Sequence, residues 1–250
     1  MDIEHLKSKL KTNPLVGTIY YQEEVDSTNI WASRTNDAKI GDVFLADYQS
    51  AGYGRLKRTW EAPKGKCILL TLIDAPTHNP AHIPQITLVT GVAFAKALKT
   101  FGAAITLKWP NDLFIGKKKL GGILCESTGA HIRIGVGLNI NAIPGDFSED
   151  VKHISTSLFR ELGKEFSREE VIISCLNQYE KTRHEFDIKG IDPLLKEWES
   201  LTFPKGMPLR ITEDGQTIEV HYEGITSDGY LLVRQGDQIK SIISGDIQLI

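Results

Sequence analysis

The strictest pattern in the chain is "HIRIGVGLNINA" at 131–142. Ile132, Ile134, Val136, Leu138 and Ile140 alternate with His131, Arg133, Gly135, Gly137 and Asn139. Period-2 alternation predicts a strand with one packed face. The other face carries small residues and an asparagine, so another group can approach its backbone closely. "LVGTIYYQEEV" (15–25), "DVFLADY" (42–48) and "CILLTLI" (67–73) also read as strands, the last too apolar to face water. "IPQITLVTGVAFAKALKTF" (83–101) has helical apolar spacing with Pro84 near its start and predicts a buried helix. "AITLKWPNDLFIGKKKLGGILCES" (104–127) reads as a strand broken at Pro110, a hairpin turn at "IGKK" and a return strand "KLGGILCE".

Helices are also predicted for "IEHLKSKL" (3–10) and for "DSTNIWASRTN" (26–36), where Asp26, Ser27 and Thr28 are candidate N-caps. Two more are "STSLFRELG" (155–163) and "SREEVIISCLNQYEKTRHEF" (167–186), the latter opening on a Ser167–Glu170 capping box. "DPLLKEWESL" (192–201) has Asp192 as cap and Pro193 at the first helical position. After Pro204 the pattern becomes short strands separated by "EDG", "SDG" and "QGD", as in a small β-barrel or a five-stranded sheet. The expected boundary lies near 203–206, dividing 1–203 from 204–250. Helices mixed with hairpins point to an α+β, mixed-sheet architecture rather than a doubly wound parallel fold.

Composition narrows the function classes. A net charge of −3 and a pI near 6.2 do not fit a protein that holds duplex nucleic acid through its phosphates. The basic residues near 55–66 and 116–119 are therefore local features. Cys67, Cys125 and Cys175 form no CxxC pair, so neither a zinc site nor a disulfide framework is expected. No leader-like start and no long apolar run appears, so no membrane partner is expected and the cytoplasm is the default location.

The chemistry-bearing signals are few. No P-loop is present: Cys67 follows Gly65-Lys66, and Trp60 stands where the first glycine belongs. "GYGRLK" and "GVGLNI" lack the third glycine of a dinucleotide fingerprint, and neither GxSxG nor HExxH occurs. His78 and His82 lie in a proline-rich loop and read as solvent-facing, so no metal site is expected.

"YQSAGYGRLKRTWEAPKGK" (48–66) mixes glycines, bases and aromatics. Three readings stay open for it: a basic loop, a stacking nucleic-acid patch, or an anion-binding loop of a small-molecule site. For the third, Gly52 and Gly54 let backbone N–H groups face an anion, Arg55 and Arg58 supply planar forks, and Trp60 offers a flat face. In "KWPND", Asn111 and Asp112 read locally as an Asx turn. Lys119 opens the return strand, which can bring it back beside Asp112.

"KWPND" followed by "KKLGGILCE", with "VDSTN" (25–29), "ADYQSAGYGR" (46–55) and "GVGLN" (135–139), closely resembles the biotin protein ligases in order and spacing, over nearly the whole chain. The resemblance implies a mixed-sheet catalytic domain like that of class II aminoacyl-tRNA synthetases, followed by a small SH3-like β-barrel. It also implies a two-step reaction. Biotin and ATP, taken with Mg2+, give biotinyl-5′-AMP and pyrophosphate, and the acyl group then passes to a lysine of a biotin carboxyl carrier domain.

By position, Ser27, Thr28 and Gln49 resemble residues that hydrogen-bond the ureido ring, with Gly52 against it. Arg55 and Arg58 resemble the arginines that hold biotin's carboxylate and the phosphates. Lys119 resembles the lysine bridging carboxylate and α-phosphate. Trp60 and Asn111 resemble adenine contacts, and Asp112 resembles the residue that orients or deprotonates the incoming amine. Gly122, Gly135, Gly137 and Asn139 would line the biotin tail and nucleotide. The catalytic set expected is thus Lys119, Arg55 and Asp112.

The chain departs from the family where Tyr53 replaces the usual arginine of Gly-Arg-Gly-Arg. "VDSTN" begins at residue 25, which leaves no room for an N-terminal DNA-binding domain, so the non-repressor class with no DNA partner is expected. Relatives often dimerise through the sheet, making a homodimer a further expectation, although the sequence identifies no edge strand. A lipoyl or octanoyl ligase is the alternative on the same fold, but a dithiolane ring offers Ser27, Thr28 and Gln49 no comparable hydrogen-bonding partner. A biotin-sensing regulator is disfavoured by the acidic pI. An inactive binding module would lack Lys119, Arg55 or Asp112, and all three are present.

Overall fold

The computed structural model describes residues 1–75, 83–127, 131–213 and 216–250; His78 and His82 lie outside them. The order is α1 (Ile3–Leu10), β1 (Ile19–Val25), α2 (Thr28–Arg34), β2 (Val43–Gln49), β3 (Cys67–Asp74), α3 (Ile83–Lys99), β4 (Ile105–Lys108), β5 (Asp112–Ile115), β6 (Lys118–Ser127) and β7 (Ile132–Asn139). Then come α4 (Glu149–Lys152), α5 (Leu158–Leu162), α6 (Arg168–Lys189) and α7 (Asp192–Leu201), followed by β8 (Pro208–Glu213), β9 (Gln216–Ile225), β10 (Leu231–Gln235), β11 (Gln238–Ile242) and β12 (Asp246–Leu249).

A seven-stranded sheet runs β1-β2-β3-β7-β6-β5-β4. Only β1–β2 is parallel; the other neighbours are antiparallel. It is thus a mixed sheet with β1 and β4 at its edges.

The two faces of this sheet differ. The alternating Ile132, Ile134, Val136 and Leu138 join Ile68, Leu70 and Leu72 in the core that also takes in α1, α3, α6 and α7. Helix α3 is buried almost from end to end, because β6 lies on one side and α6 and α7 on the other. On the opposite face, β3 turns Leu69 toward Trp60 and Ala142, and Ile73 toward Ala32 and Phe44. Strand β3 is therefore covered on both faces, and every one of its residues is buried. Burial pushes the Cys67 and Cys125 thiols up to about 12, so they remain protonated packing groups.

The small C-terminal unit is an antiparallel sheet ordered β11-β10-β9-β8-β12. The expected barrel closure does not form among the described residues: β12 pairs with β8, β11 pairs with β10, and no ladder joins β11 to β12. The segment leading into β12 is instead bonded by Arg55, whose guanidinium donates to the Gly245 carbonyl at 3.2 Å from each of two nitrogens.

Two local expectations shift. The Ser167 hydroxyl caps α6 by accepting from Glu170 N, but the Glu170 carboxylate bonds the His5 ring at 2.7 Å, so the reciprocal half of the capping box is replaced by a tertiary contact. Helix α7 is capped by Ile191, which places Asp192 rather than Pro193 first in the helix.

Candidate active site

The second sheet face, with α2, the 50–60 loop and the C-terminal sheet, encloses a cavity of about 1130 Å3. Such a volume lies just above the usual range for small-molecule sites, about 300–1,000 Å3. Ser27, Thr28, Gln49, Arg55, Arg58, Trp60, Asn111, Asp112, Lys119, Gly122, Gly135, Gly137 and Asn139 all line it. The chain thus brings together side chains from residue 27 to residue 139, as the sequence blocks imply.

One end is a polar pocket at the start of α2. Ser27 is the buried N-cap residue, and its side chain makes no capping bond. Gln49 Oε1 accepts from Thr28 N at 2.8 Å and from Thr28 Oγ1 at 3.0 Å. Thr71 Oγ1 lies 2.6 Å from Asn29 Oδ1 and 2.8 Å from Thr28 Oγ1. Gly52 lies against Gln49 and accepts a 2.9 Å backbone bond from Trp60 N, which folds the loop across this pocket.

The glycines of β7 are explained by close approach. A Cβ at Gly135 would stand 2.5 Å from Asn29 Oδ1, and one at Gly137 2.5 Å from the Trp60 indole. Any side chain there would displace one or the other. Trp60 lies across β7 with its Nε1 buried and unpartnered.

The centre of the cavity is built by the β5–β6 hairpin. Lys108 and Asp112 face each other across β4–β5, and Asp112 faces Gly122 across β5–β6. Asp112 Oδ1 pairs with Lys119 Nζ at 2.6 Å, above Gly122. The Lys119 ammonium is 5.5 Å from the Trp60 ring centroid. Asn111 Nδ2 donates to the Ile123 carbonyl at 2.7 Å and locks the hairpin. Asn139 is buried, donating to the Thr156 carbonyl at 3.0 Å.

At the mouth, both loop arginines are held by the C-terminal sheet. Arg55 approaches Asp246 at 3.8 Å and Arg58 forms a short ion pair with it. Leu56 and Lys57, at the loop tip, have φ of 55° and 58°, a left-handed geometry unfavourable for residues with side chains.

Several site residues escaped the sequence reading. Asn29 stands in "VDSTN", and only the glycine opposite it at 135 hints at its position. Lys108 precedes "WPND" and also lines the cavity, as do residues 245–250. Glu126 lies behind the pocket, where Tyr53 Oη donates to its carboxylate oxygens at 3.1 and 3.2 Å and Asn29 Nδ2 donates at 2.9 Å. Tyr53, the departure from the family pattern, is thus a loop anchor. Its pKa is pushed up to about 12 by burial and by Glu126, so it remains a donor.

Comparison with known proteins agrees with this arrangement. Residues 21–139 match the biotin/lipoate A/B protein ligase family, and residues 206–250 match the biotin protein ligase C-terminal domain. The bifunctional ligase/repressor BirA of Bacillus subtilis is 34% identical over 248 residues, covering 96% of this chain and 76% of that protein. The biotin–[acetyl-CoA-carboxylase] ligase of Paracoccus denitrificans is 29% identical over 221 residues, covering 84% of this chain and 91% of that one. The structure of the Aquifex aeolicus biotin protein ligase in complex with biotin and ATP superposes with a TM-score of 0.84 at 27% identity, covering 93% of this chain and 98% of that one. The chain, with its mixed sheet, its lysine–aspartate pair and its C-terminal sheet, belongs to the biotin/lipoate protein ligase family, on the biotin protein ligase branch.

Proposed function

We propose that this protein is an ATP-dependent biotin protein ligase that forms biotinyl-5′-AMP and transfers the biotinyl group to a lysine of a biotin carboxyl carrier domain. Residues 1–203 form the catalytic unit in this reading, and 204–250 the small C-terminal one. The observation that carries it is a polar pocket at Thr28 and Gln49 leading directly to the Lys119–Asp112 pair. A carboxylate is a poor acyl donor, and attaching AMP to it supplies a leaving group.

In the first step a biotin carboxylate oxygen attacks the α-phosphorus and pyrophosphate leaves. Lys119 stabilises the charge on the transferring group, with Arg55 and Arg58 exchanging Asp246 for substrate anions. Ser27, Thr28, Gln49 and Gly52 hold the ureido ring. Trp60 and Asn111 hold the adenine, and Gly122, Gly135, Gly137 and Asn139 line the acyl chain and nucleotide. Mg2+ enters as part of the nucleotide substrate. In the second step the carrier amine attacks the acyl carbon, and AMP leaves with the bonding electrons. Asp112 orients that amine and accepts its proton.

Among the described residues no helix is long and apolar enough to cross a membrane. We place the reaction in the cytoplasm, with no DNA partner, and expect a homodimer through a free edge of the large sheet. The test is incubation with labelled biotin, MgATP and a carrier domain, with lipoate as control. Transfer of biotin but not lipoate is expected; transfer of lipoate alone overturns the reading.

A further inference from the structure

Most cations of the cavity are neutralised from within. Lys119 is paired with Asp112, and Arg55 and Arg58 with Asp246. Lys117 is exposed at the turn. Lys108 is different. It is half-buried at the end of β4 and lines the cavity, yet among the described residues its side chain makes no hydrogen bond or ion pair. Its ammonium instead lies over the Phe114 ring, 5.2 Å from the centroid. Burial lowers its pKa, against the pull of the neighbouring Asp112. A half-buried ammonium is costly unless an anion meets it. An aromatic face offsets only part of that cost.

We propose that Lys108 is a further substrate-binding residue that takes the outer phosphates of the nucleotide and the pyrophosphate leaving group, a role distinct from that of Lys119 at the reacting phosphorus. This rests on the ligase reading. Lys108 lies across β4–β5 from Asp112, whose carboxylate is already held by Lys119, and it lines the same cavity as Arg58 and Asp246. Its ammonium therefore meets an anion only while the polyphosphate is present. The second step involves an adenylate without pyrophosphate and makes no use of it.

The test uses the full chain carrying Lys108→Met, which keeps the apolar stem on Phe114, and Lys108→Arg, which keeps the charge. Three quantities are read: biotin binding alone, KM for MgATP with Kd for inorganic pyrophosphate, and single-turnover transfer from preformed biotinyl-AMP to a carrier domain. Lys108→Met should raise KM for MgATP and Kd for pyrophosphate by about 10–100-fold, the range for losing a charged hydrogen bond. Biotin affinity and transfer should stay within about twofold, and Lys108→Arg should recover most of the loss. Unchanged MgATP and pyrophosphate binding overturns the assignment, as does an equal loss in both half-reactions. If Lys108→Met fails to fold, Lys108→Gln carries the same comparison. Failure of the unmutated protein to form adenylate would overturn the ligase reading instead.

Discussion

Tyr53 and Glu126, 73 residues apart, are joined by a hydrogen bond of 3.1 Å that pins the glycine-rich loop to β6. Glu126 is held in turn by Asn29 and faces Arg133 at 3.8 Å. Tyr53→Phe removes the only group by which this side chain reaches the carboxylate. A hydrogen bond to a charged group contributes about 1.5–3 kcal/mol. The variant should therefore release biotinyl-AMP about 10–100-fold faster, measured by trapping free adenylate. Tyr53→Arg should retain it, because a guanidinium pairs with Glu126. Equal release from all three proteins would remove the anchor role.

Lys119 and Asp112 meet at 2.6 Å in the cavity centre. Lys119→Ala should slow adenylate formation by about 10²–10³-fold, the effect of deleting a preorganised charge-stabilising donor. Asp112→Asn should slow transfer to the carrier more than adenylate formation. Single-turnover rates for the two steps check this, and equal losses in Asp112→Asn reject the role given to Asp112.

Asp246 ties Arg55 and Arg58 to the C-terminal sheet at a partly exposed mouth, where Arg58 keeps 68% of its side-chain exposure. Exposed ion pairs contribute little to stability and are screened by salt. Asp246→Ala should leave the melting temperature nearly unchanged while accelerating tryptic cleavage after Arg55, Lys57 or Arg58. High salt should have the same effect on the unmutated protein. A cleavage rate indifferent to both changes would show that the loop is held elsewhere.

Asp74 is the buried hub of the helical side. It accepts from Tyr179 Oη at 2.5 Å and Arg183 Nε at 3.0 Å. Asp74→Ala leaves the buried Arg183 guanidinium only the more exposed Asp187 and strands the Tyr179 hydroxyl, a change that costs up to about 3–5 kcal/mol. Tyr179→Phe should cost less, about 1–3 kcal/mol. Urea denaturation ranks the two, and the reverse order would contradict the hub.

Asp47 links β2 to the start of α6, accepting from Tyr21 Oη and Arg168, each at 2.7 Å. Burial raises its pKa, but the hydrogen bonds from Tyr21 and Arg168 outweigh this and leave the carboxyl below its ordinary value. A depressed folded pKa means stabilisation fully present above the unfolded value, about 3.9, and lost as pH falls through the folded one. Asp47→Asn should therefore lower the melting temperature at pH 7, with the gap to the unmutated protein narrowing below about pH 4. A gap that stays constant down to pH 2 would remove the ionic contribution.

Local pattern was sufficient for the scaffold. The alternation from Ile132 to Leu138 specifies both the strand and its core face, because a strand's side-chain period is set by its backbone. The helical spacing of 83–101 specifies α3 in the same way. The Asp112–Lys119 meeting is legible too, since a short hairpin returns the chain beside itself.

The rest depends on partners far apart along the chain. Tyr53–Glu126, Arg58–Asp246 and Glu170–His5 have no local spacing that reveals them. Whether the C-terminal strands close into a barrel depends on where β11 and β12 end up, and each pairs with a different inner strand. The order of motifs along the chain was enough to identify the family, and the periodicity was enough to give the packed face of each long element. Only the tertiary structure decided which charges neutralise one another, which glycines are covered by Asn29 and Trp60, and that Lys108 is left without an anion, because each follows from where distant segments come to rest against the same sheet.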